Sequence, residues 1–143
     1  MKEILIQLFT AFLSSLGFSL LFGLRRRFLL AASLGGLLAW GVYLAADAWM
    51  HMEFLSYLLA AAFAVIYAEV LARSLKTPAT LFVVPAILPL VPGGSLYYMM
   101  NSAVQGHMAA AKVYGARTLT AALAIAAGIS FVVALRELQT KKQ

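Results

Sequence analysis

The residues best able to do chemistry are concentrated between Pro85 and Asn101. The run Pro85-Ala-Ile-Leu-Pro89-Leu-Val-Pro92-Gly93-Gly94-Ser95-Leu-Tyr97-Tyr98 sets three prolines, a glycine pair and a serine inside an apolar stretch. Proline inside a helix removes an N–H and clashes with the carbonyl four residues back, at a cost of roughly 3 kcal/mol or more. In lipid, the freed backbone groups need partners in protein or in a water-filled cavity. The stretch therefore reads as a broken helix facing something polar. The glycine pair offers the backbone freedom to turn, and a new helix is expected to start near Ser95, a good N-cap type. Such a start presents free N–H groups and a positive dipole end, which suit a carboxylate. Tyr97, Tyr98 and Asn101 follow on the first two turns, with hydroxyl and amide groups to orient a small polar solute. The plainer alternative is a kink in a packed helix. Three prolines and Gly93-Gly94 are more than a kink needs. Asn101, Ser102 and Gln105 either extend a polar lining or hydrogen-bond between helices.

Glu69 is the one carboxylate well inside an apolar run. An intramembrane acid is a candidate proton carrier. Arg73 lies four residues on and on the same helix face, so an interfacial ion pair is the competing reading. Asp47 and Glu53 sit at loop edges. His51 and His107 are far apart in sequence, with no carboxylate or cysteine at metal-ligand spacing, so no metal is expected. No nucleophile–base pair, nucleotide-binding glycine pattern or zinc motif occurs. Neither enzymatic activity nor a cofactor is therefore expected, and nothing here would energise transport by nucleotide hydrolysis.

The elements that must position these residues are apolar helices. The chain has 143 residues, 64% hydrophobic and 11% charged, against about 25% charged in soluble domains. Several runs reach membrane-spanning length and none alternates with a period of two. The expectation is an all-α integral membrane protein, a single transmembrane domain over residues 1–143 with about five spans. These are placed at 4–24, 28–46, 54–72, 79–105 and 118–135, with a frayed polar tail at 137–143. Gly35, Gly36 and Gly41 in the second span allow close helix approach. Trp49, in the polar loop from Asp47 to Glu53, suits a membrane edge. The first span is not a signal peptide, since Lys2 is offset by Glu3 and Arg25-Arg26-Arg27 follows the run.

The net charge of +6 does not point to nucleic acid, because the basic residues flank apolar runs as the positive-inside rule would place them. With five spans and the N-terminus outside, the cytoplasmic side holds Arg25, Arg26, Arg27, Arg73, Lys76, Arg136, Lys141 and Lys142. The outer side holds Lys2, Lys112 and Arg117. That asymmetry favours N-out, C-in. A re-entrant hairpin at 79–105 would instead leave four spans and move the loop around Lys112 and Arg117 inside. An odd span count invites pairing with a five-span unit of opposite orientation, as in inverted-repeat transporters.

The core Pro89-Leu-Val-Pro92-Gly93, followed by a small residue and an aromatic, resembles the threonine/serine exporter family. It lies after three apolar spans and before one more. The basic ending Arg73 to Lys76 before Thr77-Pro78 agrees. The span pattern is similar over nearly the whole chain, the specific motif over about a tenth of it. Within the family, the chain resembles the small, separately encoded subunit equivalent to the C-terminal membrane half of the full-length exporter. The resemblance implies export of threonine and serine in bacteria, driven by the proton-motive force; related two-subunit forms are linked to succinate export. It also implies a companion subunit bearing the other spans and a soluble N-terminal domain, and an inner-membrane location. On this reading Pro89, Pro92, Gly93, Gly94, Ser95, Tyr97 and Asn101 bind a small carboxylate-bearing solute and Glu69 couples protons. The alternative is a non-transporting assembly subunit whose broken helix docks another membrane protein.

Overall fold

The structure is a computed structural model that describes residues 1–140, with side chains through Leu138; Lys141 and Lys142, counted above with the cytoplasmic charges, lie outside the described residues. Among the described residues there are only helices: α1 (Lys2–Leu21), α2 (Arg26–Met50), α3 (Glu53–Leu75), α4 (Thr80–Ile87), a 3-10 turn (Leu88–Leu90), α5 (Gly93–Val104) and α6 (Met108–Thr140). Four of them are long and apolar enough to cross a membrane, and α4 with α5 makes a fifth such unit, bent by 48°.

Side-chain contacts fix the direction of each helix. Gln7 meets Trp40 and the tilted rings of Tyr43 and Tyr57 lie 4.5 Å apart, so α1, α2 and α3 alternate in direction. On α4, Phe82 meets Phe28 edge-on at 5.8 Å. Further along, Pro89 lies against Gly36. The helix α4 therefore runs alongside α2 in the same direction. A Cβ on Gly128 of α6 would lie 2.5 Å from the Leu58 carbonyl oxygen of α3, and Arg136 reaches Glu69. Both contacts advance together along the two helices, so α6 is parallel to α3. A re-entrant hairpin would have returned the chain to the end it left and made α6 antiparallel to α3. The bent α4–α5 unit therefore crosses the bundle, which favours five spans over four.

Small residues bring the backbones together. Ala60, Ala61, Ala64 and Ala68 of α3 are fully buried, as are Ala121 and Ala124 of α6, apart from a trace at Ala121. Without a hydrophobic driving force between helices in lipid, such close packing supplies the association energy. Gly35 admits the Tyr67 ring, whose hydroxyl donates to the Ala31 carbonyl at 2.8 Å. Gly41 meets only Leu8, at ordinary contact distance. Large apolar side chains such as Leu5, Phe9, Leu30 and Phe131 are exposed, as a lipid-facing surface would be.

Several boundaries differ from the sequence-based expectation. The loop from Asp47 to Glu53 shrinks to His51 and Met52, because α2 continues to Met50 and stops when His51 takes φ 50°. The last helix starts at Met108 rather than 118, so Lys112 and Arg117 lie on α6, not in a loop. Gly106, at φ 77°, makes the preceding turn alone. No proline interrupts the sequence after it. The residues from Glu137 to Thr140 are helical rather than frayed. At 33 residues, α6 is about 50 Å long, well beyond the roughly 30 Å hydrocarbon thickness. Its early turns pack antiparallel on α5, with Tyr114 on Tyr98 and Thr118 on Ser95.

Candidate functional site

The break in the fourth span is built by its prolines, one carbonyl at a time. Pro85 stays inside α4, and it is Pro89 and Pro92 that end the regular helix. Pro89 has no N–H to give the Pro85 carbonyl, its normal partner four residues back. Ser15 of α1 supplies the missing donor: its buried hydroxyl gives a 2.8 Å hydrogen bond to Pro85 O. The room comes from Gly36, where a Cβ would collide with Ser15 Oγ and press on Pro89 Cγ at 3.1 Å. An unsatisfied buried carbonyl costs about 1–3 kcal/mol, so three helices cooperate to make the break tolerable. Leu90 then seats fully among Ala39, Tyr57 and Ala60, beside the middle of α2.

Beyond Leu90 the chain turns. Pro92, rather than Ser95, holds the N-cap position of α5, since only its carbonyl is needed to accept the first helical bond, from Leu96 N–H at 3.1 Å. Ser95 is the third helical residue; it donates back to Pro92 O and accepts from Thr118. The glycine pair does not serve the turn: neither residue has positive φ, and a Cβ on either would meet nothing within 4 Å. What the missing side chains do is leave the first turn uncovered. The N–H groups of Gly94 and Ser95 have no backbone acceptor.

These N–H groups border an open cleft of about 360 Å³. Pro89, Val91, Pro92, Gly93, Gly94 and Ser95 form one wall. Trp40, Tyr57, Tyr98 and Tyr114 form an aromatic wall, and Glu53 and Arg117 bring one charge of each sign. Glu53 and Arg117 form no ion pair with each other. The cleft thus offers anion donors from a helix N-terminus, a guanidinium for a carboxylate, and a carboxylate with aromatic faces for an ammonium group. Tyr97 and Asn101 do not line it. Tyr97 is exposed on another face of α5, and Asn101 accepts from Gln105 at 3.1 Å. Trp40, Tyr57, Tyr114, Glu53 and Arg117 were not singled out as site residues by sequence reasoning, because they come from three other helices. The signal available was the polar or aromatic type of residues near span ends.

Glu69 sits at the opposite end of α3. Its carboxylate, 12% exposed, reaches Arg73 at 3.5 Å as the spacing suggested, and Arg136 of α6 at 3.3 Å. The second contact ties α3 to α6. With Lys76 and Thr77 these groups border an open cleft of about 400 Å³. Both arginines are more than half exposed, so the pairs contribute at most about 1 kcal/mol. The two histidines are exposed, at the end of α2 and in the turn before α6.

The sequence model of the family described as Threonine/Serine exporter, ThrE, matches residues 7–135. That range reaches every helix and takes in the whole broken unit and the cleft at the start of α5; of the Glu69 cleft it leaves out Arg136. No curated protein and no solved structure matches the chain. With nine-tenths of its length matched and its fourth span broken between two half-helices, this multi-pass membrane protein belongs to the threonine/serine exporter family.

Proposed function

We propose that the chain is one half of a secondary exporter for small amino acids, and that the cleft at the start of α5 is its solute site. The observation that carries this reading is the charge arrangement. Acceptor-free N–H groups and Arg117 face a solute carboxylate, while Glu53 and the aromatic wall face its ammonium group. A zwitterion such as threonine or serine uses both halves. A dicarboxylate such as succinate would bring its second negative charge toward Glu53, which makes it the poorer solute.

In this reading a companion subunit carries the facing half. The support is that the cleft is open and that Gly93, Gly94, Tyr98 and Arg117 along it are exposed. Repeat-built transporters place their solute at such an interface, near broken helices. Proton coupling is assigned to Glu69, whose carboxylate is 12% exposed and borders the open cleft at the other end of α3. The N-terminus is outside and the C-terminus in the cytoplasm of a bacterial inner membrane, by the distribution of arginines between the two ends. The alternative role, a non-transporting assembly subunit, takes its support from α5, none of whose residues is buried.

The test is efflux of labelled threonine, serine and succinate from cells carrying this chain, its companion, or both. Efflux of threonine and serine above succinate, only with both chains, is expected. The double variant Pro92→Ala, Gly93→Leu should insert and assemble but export nothing. Unchanged efflux from that variant would sink the assignment, and loss of association before loss of efflux would favour the assembly role.

A further inference from the structure

A second groove, of about 280 Å³, lies between α1 and the 3-10 turn and shares Trp40 and Pro89 with the first cleft as a common wall. Its α1 side is polar. Gln7, Thr10 and Ser14 stand at i, i+3 and i+7, which places them on one helix face. Ser14 lies about 18 Å from the start of α1 and about 10 Å from its end, beyond the reach of its short side chain to either membrane surface. A polar stripe at that depth faces a water-filled cavity or protein rather than lipid.

The hydrogen bonds show what this groove can accept. Ser19, Ser33, Ser56 and Ser74 each donate to the carbonyl four residues before. Ser14 makes no such bond, so its hydroxyl is available to the groove. The Thr10 hydroxyl hydrogen is taken by the Ile6 or Gln7 carbonyl at 2.9 Å, which leaves its lone pairs as acceptors. Gln7 Oε1 accepts from Trp40 Nε1–H at 3.3 Å. Among the described residues, no charged side chain lines the groove.

We propose that Gln7, Thr10 and Ser14 line a second chamber on the solute path, which adjoins the first cleft along Trp40 and Pro89. The chamber takes the hydroxyl-bearing side chain of a small hydroxy amino acid whose charged groups stay in the first cleft, and Trp40, held by Gln7, stands at the rim the two share. This rests on the reading of the first cleft as the solute site.

The chain has no cysteine, so single cysteines report without background. Membranes carrying the complete exporter are treated with a membrane-impermeant, charged thiol reagent. The variants are Thr10→Cys and Ser14→Cys in the groove, Ser95→Cys in the first cleft, and Leu13→Cys as an exposed apolar control. Because the reagent reacts only where water reaches, T10C and S14C should label roughly tenfold faster than L13C. Threonine at a few times its Kd should slow them roughly fivefold. Labelling of T10C and S14C no faster than L13C overturns the proposal. Protection by threonine at S95C but not at T10C and S14C also overturns it, and leaves the first-cleft reading intact. Protection at none of the positions removes that reading and this inference together.

Discussion

The two ends of α3 handle charge in opposite ways. At one end Glu69 is bracketed by Arg73 and Arg136, and the groups answer one another across two helices. At the other end Glu53 and Arg117 line one cleft without pairing, and two N–H groups of α5 lack acceptors beside them. Polar groups in a membrane protein are costly unless satisfied. The satisfied set holds α3 to α6. The unsatisfied set is what a site for an outside partner should look like. The break between them shows both habits within a few residues: Pro85 O is answered by Ser15, while the first turn of α5 is left open.

Breaking the open end should have the larger effect. Arg117→Gln removes the one cationic side chain that lines the cleft among the described residues, and the lost charge-assisted hydrogen bond is worth about 1.5–3 kcal/mol. Threonine efflux measured over a concentration series should show the apparent affinity falling by about tenfold or more. Ser15→Ala acts on the satisfied part of the break. It strands Pro85 O at a cost of about 1–3 kcal/mol. The outcome should be a lower unfolding midpoint in detergent. Glu53→Gln sharpens the comparison differently. Loss of the ammonium partner should weaken threonine efflux by several-fold, about 1 kcal/mol, while succinate efflux stays level or rises. A parallel fall for both solutes would contradict the proposed division of the cleft. Arg136→Gln should be mildest, with at most about 1 kcal/mol lost, read as a small shift in the same unfolding assay.

Much of this arrangement was legible in the sequence, and the parts that were not share a cause. The prolines and Gly93-Gly94 announced the break, and proline's missing N–H explains it in the structure as well. Apolar runs and their basic flanks announced the helices. The partners were out of reach: nothing in the spacing links Ser15 to a carbonyl seventy residues away, or Glu69 to Arg136. Helix ends in lipid are also poorly marked, since an apolar residue past the end of a span costs little, so α2 and α6 run on beyond the expected bounds. Ser95 drew attention as a cap because of its type, but Pro92 needs no N–H partner and fills that place. Tyr97 and Tyr98 are neighbours in sequence and cannot share a helix face; only packing against Tyr114 decides that Tyr98 faces the cleft.

The contrast between the two ends reduces to one measurement: efflux of labelled threonine from cells expressing the exporter with Arg117→Gln or with Arg136→Gln, at matched amounts of protein in the membrane. The account predicts a fall of about tenfold or more for R117Q at low threonine, and a rate within about twofold of the parent for R136Q. Equal falls in the two variants, or full activity in R117Q, would contradict it.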